Sequence, residues 1–187
     1  VQAPDLTIEP DSALLARGEH LAGLSCALCH RGKEGPRLSG GPWREKDFGR
    51  LYTANLTRHP NSALSAYSDG ELALLLRTGL KRDGEVALTM PRYTQLSDRD
   101  LHSIIAYLRS ESPATEPSDQ QWPARQVNFL ARVLTRVAVK PYDYPQAPVP
   151  EPDRSDPGGH GRHLAHGLSC FVCHAAGVDT VDELPPE

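Results

Sequence analysis

Two short motifs constrain this chain more than anything else in it. Cys26-Ala27-Leu28-Cys29 and Cys170-Phe171-Val172-Cys173 hold all four cysteines, and each is followed at once by a histidine, His30 and His174. Four chemistries use paired cysteines. Two disulfides suit an exported chain but leave the histidines unexplained. A thioredoxin-like dithiol sits in a βαβ setting, and the sequence shows none. A four-cysteine zinc site keeps its pairs about 15–20 residues apart, whereas 140 residues separate Cys29 from Cys170. The fourth is covalent haem c. Two thiols add across the porphyrin vinyl groups, and the next residue places imidazole under the iron. That chemistry uses Cys-x-x-Cys-His as a unit, and the unit occurs twice. The reading is haem c at two motifs, with Cys26, Cys29, Cys170 and Cys173 as attachment points and His30 and His174 as iron ligands.

The flanks repeat as well. Gly18-Glu19-His20-Leu21-Ala22 and Gly23-Leu24-Ser25-Cys26 align with Gly161-Arg162-His163-Leu164-Ala165 and, after an inserted His166, Gly167-Leu168-Ser169-Cys170. Two copies of one haem-binding unit are the simplest explanation.

Between the motifs the periodicity is helical. Asp11 and Ser12 are N-cap candidates ahead of Leu14, Leu15, Gly18 and Leu21, in a helix expected to end just before Cys26. Ser68-Asp69-Gly70-Glu71 is a capping-box pattern followed by Leu72, Leu75 and Leu76, with Gly79 as the residue that ends the helix. Ser97 opens a third helix with Leu101, Ile104, Ile105 and Leu108 on one face, expected to close at Pro113. No period-two alternation lies between them. Residues 11–112 read as a small all-α module with long loops. Loops of that length are unusual in a compact domain unless they pack on a cofactor.

Residues 113–159 differ. Nine of the 17 prolines fall here, which makes this a linker biased toward extended backbone. One apolar island, Val127, Leu130, Val133, Leu134 and Val137, predicts a helix. It is expected to dock on the first module, with a membrane-surface or partner-docking helix as the other reading. Residues 160–187 hold the second motif, with only 13 residues after His174. That is an incomplete second unit, and the expectation is a truncated or proteolysed piece of a longer protein. A second haem that borrows its ligand is the alternative.

The formal net charge of −4 and the 24% charged residues exclude a polybasic nucleic-acid binder and an acidic disordered tail. No run approaches the roughly 18 apolar residues of a membrane span, and no uncleaved signal peptide is visible. The hydrophobic share of 39% is thin for the length, which a buried porphyrin would offset. An iron that only carries electrons needs a second axial ligand opposite His30. The sole methionine, Met90, precedes Pro91, which pushes it out of the helical region and into a loop. It is the expected distal ligand, ahead of His59 and His102.

At these residues the chain resembles class I cytochromes c. The resemblance covers residues 11–112: Cys26 to His30, Gly35-Pro36-Arg37-Leu38-Ser39-Gly40, and Met90-Pro91 ahead of a last helix ending in Tyr107-Leu108. It implies an all-α fold in which Pro36 presents its carbonyl to His30 and the first helix crosses the last at Gly18 and Tyr107. Tyr52-Thr53-Ala54-Asn55-Leu56-Thr57, Tyr67-Ser68-Asp69-Gly70-Glu71-Leu72 and Leu80-Lys81-Arg82-Asp83-Gly84 carry a narrower likeness, to dihaem and multihaem cytochrome c subunits of bacterial membrane dehydrogenases. This resemblance implies single-electron transfer between a periplasmic dehydrogenase and a respiratory cytochrome or oxidase. It also implies a place in the periplasm or at the periplasmic face of the membrane, with any signal or anchor removed ahead of Val1. Trp43, Tyr52 and Arg92 are candidate neighbours of the haem propionates. A dihaem enzyme, peroxidase-like or thiosulfate-oxidising and working at an open second haem, is the other function class.

Overall fold

The computed structural model describes residues 2–33, 35–43, 48–168 and 170. Cys173 and His174 lie outside the described residues, and so does the rest of the chain after Cys170.

α1 spans Ser12–Ser25, and the Asp11 side chain accepts the Leu14 N–H at 2.7 Å. It passes through Cys26 into α2, a single turn over Ala27–His30. A loop follows with three two-residue strands, β1 (Gly41–Pro42), β2 (Gly49–Arg50) and β3 (Tyr52–Thr53). β1 pairs antiparallel with β3, Gly41 opposite Thr53. Strands this short bury no alternating face, which is why period-two patterning does not announce them. α3 covers Asp69–Thr78, starts on the Ser68–Glu71 capping box and ends at Gly79, whose φ of 77° is left-handed. α4 covers Asp98–Arg109, with Ser97 Oγ accepting the Asp100 N–H at 3.1 Å. It stops short of Pro113, because the Ser110 hydroxyl turns back onto the Tyr107 carbonyl at 2.7 Å.

The apolar faces of α1 and α4 cross to make the core. Leu101, Ile104, Ile105 and Leu108 are each 3% exposed or less, and burying each such side chain contributes about 1.5–3 kcal/mol. The crossing is close because Gly18 has no side chain. A Cβ there would overlap the Ser103 carbonyl and come within 2.7 Å of the Tyr107 Cβ. Gly18 and Tyr107 therefore meet, as the resemblance implies.

Past α4 the chain runs along the module's surface. Leu38 N–H donates to the Ala114 carbonyl at 2.8 Å, and Arg58 N–H to that of Thr115 at 2.9 Å. The Asn55 amide donates to the Ser118 and Gln120 carbonyls at 2.9 and 3.0 Å. Trp122 stacks on Tyr52 at 5.7 Å and donates to the Ser39 carbonyl at 2.9 Å. β4 (Gln126–Val127) then pairs with β2. α5 (Phe129–Val137) buries Ala131 but leaves Phe129, Val133 and Val137 exposed. Farther on, the Tyr142 N–H bonds the Thr78 carbonyl at 3.0 Å, and the Asp98 N–H bonds that of Val149 at 2.9 Å. α6 (Pro157–Gly167) is capped by Asp156 and leads into the second motif. Among the described residues, no helix is long and apolar enough to cross a membrane.

Candidate haem-binding site

The end of α1 and the turn of α2 form one wall of a cavity of about 300 Å³. Cys26, Cys29 and His30 line it. The helical turn places these three together, because the His30 N–H bonds the Cys26 carbonyl at 2.8 Å. Leu72, Leu75 and Leu76 of α3 and Leu108 of α4 supply apolar wall. Met90 and Pro91 line the cavity too, whereas His59 and His102 do not. The His59 Nδ1 instead accepts the Asn61 N–H at 3.2 Å.

His30 Nδ1 lies 2.8 Å from the Ala54 carbonyl. A carbonyl only accepts, so Nδ1 carries the proton, and Nε2 keeps its lone pair for a metal. The acceptor is Ala54 and not Pro36, which corrects the expectation from the family. The tight turn in which the Gly32 N–H bonds the Arg37 carbonyl at 2.8 Å leaves Pro36 exposed. The chain returns through β3 to bring Ala54 beside the ring. Burial holds His30 below its ordinary value, partly opposed by this hydrogen bond, and the neutral imidazole that results is the metal-binding form. Burial also pushes the Cys26 thiol up.

The loop carrying Met90 is fastened to α3. The Arg77 side chain, 0% exposed, donates from Nη1 to the carbonyls of Tyr93 (2.7 Å), Thr94 (3.0 Å) and Leu96. Its Nη2 donates to Asp98 at 2.6 Å. The Tyr93 N–H adds a bond to the Leu76 carbonyl at 2.8 Å.

The donor set and walls fit haem c. Two thiols and an oriented imidazole border an apolar cavity that also contains a thioether. The buried Trp43 indole N–H lines it without a hydrogen-bond partner among the described residues, a donor that a propionate carboxylate would satisfy. Trp43 and Tyr52 line the cavity, but Arg92 does not: its guanidinium lies over the Tyr142 ring at 4.7 Å. Among the described residues, the charged side chains on the wall are Lys81 and Arg125, and both pair with Glu85. Sequence reasoning missed Ala54, Arg77 and Arg125. A backbone carbonyl leaves no residue-type signal, and Arg125 arrives from a stretch that reads as linker. In the second motif, Cys170 is exposed.

These features are those of a cytochrome c domain. A family model described as cytochrome c oxidase, cbb3-type, subunit III matches residues 13–108. The chain belongs to that family, so it is an electron-transport protein with haem c. A nicotinate dehydrogenase subunit from Pseudomonas putida is 30% identical over 180 residues, which cover 88% of this chain and 14% of that protein. The cytochrome c subunit of alcohol dehydrogenase (quinone) from Gluconacetobacter polyoxogenes is 27% identical over 177 residues, 90% of this chain and 37% of the relative. The fructose dehydrogenase cytochrome subunit of Gluconobacter japonicus is 28% identical over 175 residues, 86% and 34%. The chain thus spans well under half the length of these relatives.

Proposed function

We propose that this chain relays single electrons from a periplasmic dehydrogenase to a respiratory cytochrome or oxidase, through haem held at His30 and Met90 and a second haem at the Cys170 motif. The observation that carries the reading is that Cys26, Cys29, His30 and Met90 all line one apolar cavity. When bound, haem supplies reversible one-electron exchange at its iron. The residues do the rest. Cys26 and Cys29 would hold the ring by thioether bonds, and His30 Nε2 and the Met90 sulfur would be its iron's ligands, which would leave no site for substrate. The thioether and the apolar walls favour the ferrous state and raise the potential. The Ala54 carbonyl makes His30 a stronger donor, which acts the other way. The first module carries a net charge of +2 over residues 11–112 and the remainder −6, a weak dipole suited to transient, salt-sensitive docking. The relatives' names support a dehydrogenase as donor, and a location at the periplasmic face of the membrane follows from that reading.

The visible spectrum tests it. The ferric protein should show a Met–iron charge-transfer band near the red edge of the visible range, and Met90→Ala should abolish it. A wild-type spectrum without the band, or rapid carbon monoxide binding at the first haem, overturns the ligation.

A further inference from the structure

Asp100 is a charge cut off from water. It lies in the first turn of α4 with its side chain 0% exposed. Its Oδ1 accepts from Arg17 Nε on α1. Its Oδ2 is buried without a hydrogen-bond partner among the described residues. A buried carboxylate is tolerated only when its oxygens are met. The group that approaches Oδ2 comes from outside the first module. His163 Nε2 of α6, itself buried and without a hydrogen-bond partner among the described residues, lies 3.7 Å away.

Other contacts surround this pair. Gly167 packs against the fully buried Leu96, and Leu168 packs on the core. Glu151 pairs with Arg99 at 3.0 Å and reaches Arg17 at 4.0 Å. The internal repeat sharpens the point. His20 is the counterpart of His163 in the first copy, and it is exposed. Haem attachment therefore does not require a half-buried histidine at this place in the repeat, whereas a contact with Asp100 does.

We propose that Asp100 and Arg17 form a seat for the second haem-binding segment of this same chain, with His163 as the inserted contact. α6, which leads to the second attachment motif, is then held on the first module and not left on a loose tether. The functional weight of the seat rests on the two-haem reading above; the contact itself does not.

Limited proteolysis of the full-length holoprotein tests it. Trypsin can cut after Arg162, in the middle of α6, only when that helix opens. Arg154, in an exposed turn, is the reference cut. In wild type the Arg162 cut should be much slower than the Arg154 cut. His163→Leu strands Oδ2 and should speed cleavage after Arg162 roughly tenfold, with the first haem's spectrum unchanged. His163→Gln, which restores a donor, should fall between the two. Equal rates after Arg162 in all three proteins, or a wild-type rate equal to that at Arg154, overturn the seat. Intact mass of the same samples counts covalent haems. One haem with slow Arg162 cleavage overturns the two-haem reading and leaves the seat standing. Two haems with fast cleavage overturn the seat alone.

Discussion

Replacing Arg77 by methionine should loosen the distal loop before it loosens the helices. The guanidinium holds three carbonyls between Tyr93 and Leu96 from a fully buried position. Methionine keeps the stem's packing and removes every donor. A buried carbonyl left unmet costs about 1–3 kcal/mol, and the substitution leaves three without this donor. Asp98 adds little, since its side chain is 37% exposed and regains water. The expected loss is about 4 kcal/mol, a large part of the roughly 5–15 kcal/mol of a typical domain. With a urea slope of about 1–3 kcal/mol/M, the unfolding midpoint should fall by roughly 2 M. The assay is a urea titration of the ferric protein followed by far-ultraviolet circular dichroism and by the red-edge Met–iron band. In Arg77→Met the band should disappear at lower urea than the helical signal, because the missing bonds belong to the loop that follows Met90. Arg77→Lys, which keeps the charge but not the fork, should be intermediate. A midpoint unchanged in Arg77→Met, or band and helicity lost together at the wild-type midpoint, would refute the reasoning.

Two further outcomes follow from the α1–α4 crossing. Gly18→Ala puts a methyl group into the Ser103 carbonyl and should lower stability by about 1–3 kcal/mol, read as a fall in Tm by calorimetry; an unchanged Tm would mean that the helices do not meet there. Burial raises the Asp100 carboxyl, but Arg17, the Ser97 bond and His163 outweigh it and hold the group below its ordinary value of 3.8. A depressed carboxylate stabilises the fold above its unfolded value, and that contribution disappears as pH falls through the folded value. Wild type should therefore lose stability steeply below pH 3.8, and Asp100→Asn should be weaker at neutral pH with a shallower acid limb. Parallel acid limbs would count against the contact.

Much of the site was legible because its chemistry is local. Cys26, Cys29 and His30 sit within one turn, and spacing alone reports such a group. The caps at Asp11, Ser68 and Ser97 were legible for the same reason, since each side chain bonds a backbone N–H three residues on. What stayed hidden is non-local. The partner of His30 is a backbone carbonyl 24 residues away, and any residue type offers one. The family pattern pointed to Pro36, a neighbour in sequence that the fold turns outward. Arg125 and Trp122 come from beyond the last helix of the module, where proline content suggests a spacer. Proline sets φ in that stretch but does not keep its carbonyls and side chains from bonding the module.

The position of Trp122 in the chain has a consequence for timing. Its ring covers Tyr52, which lines the cavity, yet it is made 92 residues after His30. At about 5–20 residues per second, several seconds separate the appearance of the first pair of thiols from that of the segment that covers this wall. Until that segment docks, the Tyr52 side of the cavity lined by Cys26 and Cys29 lacks its cover. Enclosure of that wall therefore waits on a segment that lies beyond α4 in the chain.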